Sequence, residues 1–166
     1  MKLKEKYLDE VIRESKATRN LLALVPMEKG DFKPHEKSMS LSQLARHVAE
    51  IPGWWKECLL QDELDFAKGE YVPKKVENLE ALLSLHDEVI ENAKKILTEV
   101  DDSEFSKNWT MRNGELIFFT LTKDEVVRTW CLNHLYHHRA QLCVYLRMLD
   151  IALPSIYGPT ADLQNM

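Results

Sequence analysis

Four segments of about twenty residues carry apolar side chains at the 3.6-residue spacing of an amphipathic helix. The clearest of them follows Asn78, a candidate N-cap, and its stripe consists of Leu79, Leu82, Leu83, His86, Val89, Ile90, Ala93, Ile96 and Leu97. Each such helix can bury its apolar face only against a neighbour. With 5 Gly and 6 Pro in 166 residues, long irregular segments are disfavoured. The sequence therefore predicts an all-α fold, a four-helix bundle.

Capping residues predict where two of these helices begin. Ser40 and Thr122 are each followed three residues later by an amide or acid, Gln43 and Glu125, which is the capping-box pattern. We expect the helix that opens at Thr122 to run to about Leu149.

Two long connections separate the helices, at residues 61–77 and 101–121. The second contains Asn113-Gly114 between two β-rich runs, which predicts one small β-hairpin between the third and fourth helices. Connections of this length also allow an up-down-down-up order of the helices.

Composition excludes several classes of function. The formal charge of −5 comes from 27 acidic and 22 basic side chains that are interspersed, so we expect no nucleic-acid partner. The sequence has no signal-peptide pattern and no apolar run of membrane-spanning length. We therefore expect one cytoplasmic domain over residues 1–166, with no membrane partner. The three cysteines lack a CxxC spacing, and reduced core thiols are expected.

A histidine pair in the fourth helix is the best functional clue. His134 and His138 are four residues apart, so their imidazoles lie on one helical face and can share a metal ion. A catalytic metal site needs a third ligand, and both His47 and His86 lie on buried stripes of other helices. The spacing does not choose between them. His137 points about 100° away from its neighbour, which favours a supporting role at the site or at a helix boundary.

Three other side chains lie near these histidines in the sequence and could support a site. Glu50 is one turn from His47 and Asp87 is next to His86, so either could orient a ligand through its second ring nitrogen. Cys131 could approach a metal, but the core interpretation is favoured. No Ser-His-Asp spacing, phosphate-binding glycine loop or dinucleotide fingerprint is present, which excludes the usual hydrolase and nucleotide sites.

Three stretches, residues 40–54, 133–142 and 153–159, together resemble the DinB-like proteins, also called DinB/YfiT-like metalloenzymes. The resemblance implies an up-down-down-up bundle, often a homodimer, with three histidines that bind a divalent metal such as nickel, zinc or iron. Matched onto this sequence, the metal ligands are His47, His134 and His138. The resemblance therefore selects His47 over His86.

The resemblance also implies a chemistry. Some relatives are thiol-dependent S-transferases or isomerases that use a low-molecular-weight thiol such as bacillithiol or mycothiol. Our first hypothesis is a metalloenzyme of transferase type, with a small-molecule substrate or thiol at the open position. The alternative is a non-catalytic metal-binding or stress-related dimeric bundle, with Trp54 and Trp55 as candidates for the self-association surface. The residues alone leave open whether the chain is catalytic.

Overall fold

A computed structural model of the protein describes residues 2–69 and 72–163. Its α-helices are α1 (Leu3–Leu22), α2 (Leu41–Glu50), α3 (Trp54–Leu60), α4 (Leu79–Glu99), α5 (Lys123–Val126) and α6 (His134–Met148). A 3₁₀ turn, Ile51–Gly53, joins α2 to α3, and a π-helical segment, Val127–Asn133, joins α5 to α6. Short 3₁₀ turns also occur at Met27–Lys29, Phe66–Lys68 and Asp102–Ser106. The helices thus form four units, as the apolar periodicity predicted.

The predicted helix starts are confirmed by their side-chain caps. Ser40 accepts a hydrogen bond from the Gln43 amide, and the Gln43 side chain accepts one from the Ser40 amide. Thr122 and Glu125 form the same reciprocal pair. The Asn78 side chain caps α4 at 2.8 Å. These contacts satisfy backbone donors that the first helical turn leaves without partners.

The predicted fold class is wrong. The protein is not an all-α, up-down-down-up four-helix bundle with one hairpin, because the helices share the fold with a three-stranded mixed sheet. Its strands are β1 (Glu63–Asp65), β2 (Asn108–Asn113) and β3 (Leu116–Thr122), in the order β1-β2-β3. β1 pairs parallel with β2, and β2 pairs antiparallel with β3. β1 lies in the connection after α3, and three residues are too few for an alternating pattern to reveal a strand.

The hairpin carries a bulge that shapes its inner face. Met111 pairs with Phe119, but its neighbour Arg112 pairs with Ile117, so Phe118 is an extra residue on β3. The turn places a positive φ of 59° on Gly114. As a result Phe119 packs toward the helices, whereas Phe118 is exposed.

The core consists of two clusters of buried side chains. One lies under the sheet around Trp55, Phe105 and Trp109, and the other lies among α1, α2, α4 and α6. Tyr136 packs against both clusters, so they are continuous through α6. Within the described residues, no helix has the length and apolar character needed to cross a membrane.

The π-helical segment changes which face of α6 is buried. The His134 amide donates to the Thr129 carbonyl, five residues back rather than four. One extra residue in a turn rotates the following helix by about 100°. The buried stripe of α6 is therefore Leu135, Arg139, Leu142, Tyr145 and Leu146. The histidine pair lies at the border of this stripe, where the side chains are half-buried and can meet a ligand.

Candidate metal centre

The three histidines selected from the sequence lie together. His47 comes from α2, and His134 and His138 come from the first two turns of α6. One ring nitrogen of each lies within 4.8 Å of the others. The ring centroids are 4.6 to 5.0 Å apart. Among residues 2–69 and 72–163, no other group of three His, Cys, Asp or Glu side chains meets this spacing.

The rings present their nitrogens to one another. The Nε2 atoms of His47 and His134 are 3.2 Å apart, close enough for one hydrogen bond if one ring donates. One such hydrogen bond pairs only two of the three clustered ring nitrogens, so the third ring still offers a nitrogen lone pair in the cluster. A metal ion satisfies all of these lone pairs at once, which is why such a cluster suits a cation with nitrogen ligands.

Burial keeps the cluster in the form that binds metals. Loss of solvent lowers the pKa of His47 to about 4, and the neighbouring His138, His134 and Arg46 lower it further in the same direction. Burial also lowers the pKa of His134 to about 4, with His138 acting in the same sense. The pKa of His138 is lowered as well, chiefly by burial. At neutral pH all three imidazoles are therefore uncharged, as metal ligation requires.

Gln141 connects the cluster to the surface. Its side-chain oxygen accepts a hydrogen bond from Nδ1 of His138 at 2.8 Å. Its amide nitrogen is 3.1 Å from Nε2 of His137, which is exposed. With Nδ1 of His138 protonated in this way, the Nε2 lone pair is free for a metal. Sequence analysis missed Gln141, although its spacing of three and four residues from the two histidines was visible.

A buried ion pair fixes the orientation of α6. Arg139 follows His138 and is 2% exposed, and Glu14 on α1 is 5% exposed. Nη2 of Arg139 donates to Oε2 of Glu14 at 2.7 Å, and Nη1 donates to the Thr18 hydroxyl at 3.0 Å. The Tyr157 hydroxyl donates to Glu14 and completes the network. These contacts link the histidine helix to α1.

Comparison with known proteins identifies the family of the chain. The sequence model that describes the DinB family matches residues 1–164 of this chain. The chain belongs to the DinB family. No curated protein matches it significantly.

Three solved structures share the DinB fold. A DinB-like protein from Bacillus subtilis gives a TM-score of 0.71 at 16% identity, covering 91% of this chain and 97% of its own. A DinB-like protein from Bacillus cereus ATCC 10987 gives 0.69 at 20% identity, with 92% and 97% coverage. A protein provisionally assigned to the family from Exiguobacterium sibiricum 255-15 gives 0.57 at 24% identity, with 98% and 99% coverage.

The competing candidate in this DinB-family chain, His86, lies elsewhere. It is 1% exposed in the core, and its Nε2 is 3.3 Å from the Ser15 carbonyl of α1. The adjacent Asp87 forms a bidentate ion pair with Arg19. Cys131 is buried in the sheet-side core and lies outside the three-histidine group. Neither His86 nor Cys131 therefore belongs to the cluster.

Glu50 contacts groups beyond the cluster. Its Oε1 accepts a hydrogen bond from the Lys74 amide at 3.2 Å, and its Oε2 is 3.7 Å from Nε of Arg46. Glu50 thus ties the end of α2 to the segment that precedes α4.

Proposed function

We propose that this protein binds a divalent transition metal, nickel, zinc or iron, through His47, His134 and His138. The observation that carries the proposal is the convergence of one ring nitrogen from each histidine within 4.8 Å. Three protein ligands are the usual number at a catalytic metal, because they leave one position for water or substrate.

The surrounding residues fit a metal of this kind. Low pKa values keep the imidazoles neutral, and Gln141 holds the tautomer of His138. Nδ1 of His134 is buried, and the Trp130 carbonyl, four residues earlier, is the backbone group that acts on this ring and favours its protonation. A bound divalent metal would supply a Lewis acid that lowers the pKa of a thiol or water at its open position.

We further propose that the natural partner of the site is a low-molecular-weight thiol, in a reaction of S-transferase type. In such a reaction the sulfur bonds to an electrophilic carbon, and the leaving group departs with the thiol proton. The support is the half-buried position of the histidines at the border of α6, which lets a small molecule reach their nitrogens. The family resemblance supports the same chemistry.

A non-catalytic metal-binding dimer is the second candidate. Trp55 cannot contribute to its surface, because this side chain is 1% exposed. One observation favours self-association, namely that Leu116, Ile117 and Phe118 on the edge strand β3 are 51 to 61% exposed. Analytical ultracentrifugation of the wild type and Ile117→Lys tests this candidate, and a monomeric wild type would contradict it.

Elemental analysis of untagged protein tests the metal centre. We expect about one metal per chain in the wild type and little in His47→Ala, His134→Ala and His138→Ala. His86→Ala is the matched control, since it removes a buried histidine outside the cluster and should retain the metal. Equal metal content in the His47→Ala and His86→Ala variants would refute the site.

Turnover tests the chemistry separately. Metal-loaded protein is incubated with a panel of thiols and electrophiles, and thioether formation is measured by mass spectrometry. Metal-dependent products that disappear in His138→Ala support the S-transferase proposal. A metal-loaded protein that is silent across the panel would contradict the S-transferase proposal and leave the metal centre standing.

A further inference from the structure

A cluster of three aromatic rings lies beside the candidate metal centre. Trp130 stacks with Trp54 at a centroid distance of 5.8 Å and with Phe119 at 6.0 Å. Its other neighbour is His134, whose ring meets the indole edge-on at 5.7 Å. We name Trp54, Phe119 and Trp130 the aromatic platform. The platform is thus in direct contact with one of the three histidines.

Three different elements build the platform. Trp54 begins α3 after the Pro52 turn, Trp130 lies in the π-helical segment, and Phe119 is the β3 residue that the bulge directs inward. β-Bulges and π-helical turns are both frequent at functional sites, where they redirect side chains. Here both irregularities direct aromatic side chains to the same place.

The platform rings keep part of their surface in solvent. The neighbouring Trp55 and Trp109 are 1% and 0% exposed, whereas Trp54, Trp130 and Phe119 are all partly exposed. Burying them fully would be favourable, since each large aromatic ring removes a large apolar area from water. Partly exposed apolar rings beside convergent polar groups have the composition of a ligand site.

The arrangement of the rings favours a flat ligand over a cation. The interplanar angles within the platform are 27° and 13°, so the rings are nearly parallel. Binding of an ammonium group typically uses an aromatic cage, in which several ring faces surround the charge. Among the described residues, the cation–π contacts involve Tyr7, Tyr136 and Tyr157, none of which belongs to the platform.

The geometry points to a substrate with a planar apolar group, such as an aryl ring, that packs on the aromatic platform while its reacting atom lies at the histidine cluster. This inference rests on the proposed metal centre for the position of the reacting atom. Trp130 and Phe119 are then specificity-determining residues. Substrates that carry only small aliphatic groups bind less tightly, because they do not cover the exposed ring surface.

Indole NMR of the metal-free protein tests the platform without the metal. The chain has four tryptophans, so the nitrogen-15 spectrum contains four indole signals, which Trp→Phe variants assign. We expect benzyl alcohol to shift the signals of Trp54 and Trp130 and leave that of the buried Trp55 unchanged; Trp109 is not a control, since its ring lies 6.1 Å from Phe119. Titration should give cyclohexylmethanol, of similar size without a π system, a clearly higher dissociation constant than benzyl alcohol. Equal dissociation constants for the two probes, or no shift at the platform, would overturn the inference.

Adjacent phenylalanines provide a matched pair of variants. Phe119→Leu removes a platform ring, and Phe118→Leu removes its exposed neighbour on β3. We expect Phe119→Leu to weaken benzyl alcohol binding about 2- to 10-fold, the usual range for one aromatic contact, and Phe118→Leu to leave it unchanged. Thermal melts confirm that both variants are folded. Equal effects of the two variants would overturn the inference.

The metal-loaded protein tests the link between platform and metal centre. In nickel-loaded protein, benzyl mercaptan should bind more tightly than cyclohexylmethanethiol. Binding is measured from the thiolate-to-nickel charge-transfer absorption. Trp130→Leu should abolish this preference while retaining nickel. Nickel binding with no preference in the wild type contradicts the platform and leaves the metal centre standing. Absence of nickel contradicts the metal centre, and the NMR result still decides the platform.

Discussion

Acidification of the metal-free protein should destabilise it, in part because the histidine cluster takes up protons on unfolding. Folding lowers the pKa of His47 and of His134 from 6.5 to about 4, mainly through burial. Between these values the unfolded chain binds protons that the folded protein excludes. The contribution of these two histidines to the free energy of unfolding must therefore fall as the pH decreases from about 6.5 to 4 and must level off below that range.

The size of the effect follows from the two pKa values. Near pH 5.5 each histidine is almost fully protonated in the unfolded chain and almost neutral in the folded one, which gives about 1.2 kcal/mol per pH unit for each. Over the whole range the two shifts correspond to at most about 7 kcal/mol, and solvent screening of these half-exposed rings reduces the contribution to about 3 kcal/mol. This is a large fraction of the stability of a domain.

Urea unfolding with a chelator present, at intervals from pH 4.5 to 7.5, measures the slope. His134→Gln should reduce it by about 1.2 kcal/mol per pH unit. His35→Gln is the control, because His35 is exposed and lies outside the cluster. Subtracting variant from wild type cancels the titration of carboxylates, which is common to both. An unchanged slope in His134→Gln would refute the argument that burial keeps this ring neutral.

Three further predictions concern the groups that hold the site. Arg139→Leu should cost about 3 kcal/mol in urea unfolding, because it leaves the buried Glu14 only the exposed Arg13, 3.6 Å away, as a cation. Adding Glu14→Leu to Arg139→Leu should recover much of the loss, and a single-variant cost below about 1 kcal/mol would contradict this. Gln141→Ala should weaken metal affinity about 10- to 100-fold by titration, and an unchanged affinity would exclude its orienting role. Ser40→Ala should cost about 1 kcal/mol through loss of the α2 cap, and a cost close to zero would contradict the capping contact.

The helices were predictable because their determinants are local. The apolar stripe, the Asn78 cap and the capping boxes at Ser40 and Thr122 all lie within one or two turns of the residues that they order. β1 was not predictable, since its three residues become a strand only by pairing with β2 more than forty residues later. The fold class was therefore wrong even though the helical segments were found.

The π-helical segment explains why the buried face of α6 could not be predicted from the sequence. An apolar stripe extrapolated at 3.6 residues per turn across Val127–Asn133 falls on the wrong face of α6, because the extra residue in the turn rotates everything after it. The buried stripe of α6 therefore contains Arg139 between Leu135 and Leu142, and the two histidines lie at its border. A buried arginine has no sequence signature of its own, since the position of its partner, Glu14, depends on how α1 packs.

The three ligands of the candidate centre illustrate the same division between local and distant information. His134 and His138 meet because a helix brings residues four apart onto one face, and this holds before any tertiary contact forms. The third ligand depends on which helix packs against α6, and both His47 and His86 satisfied the local pattern. In the structure α2 packs on α6, whereas the His86 ring turns to the Ser15 carbonyl of α1. The resemblance of residues 40–54 to the family favoured His47 over His86, because family members share the packing of their helices. Hydrophobic periodicity contains no information about which helices pack together.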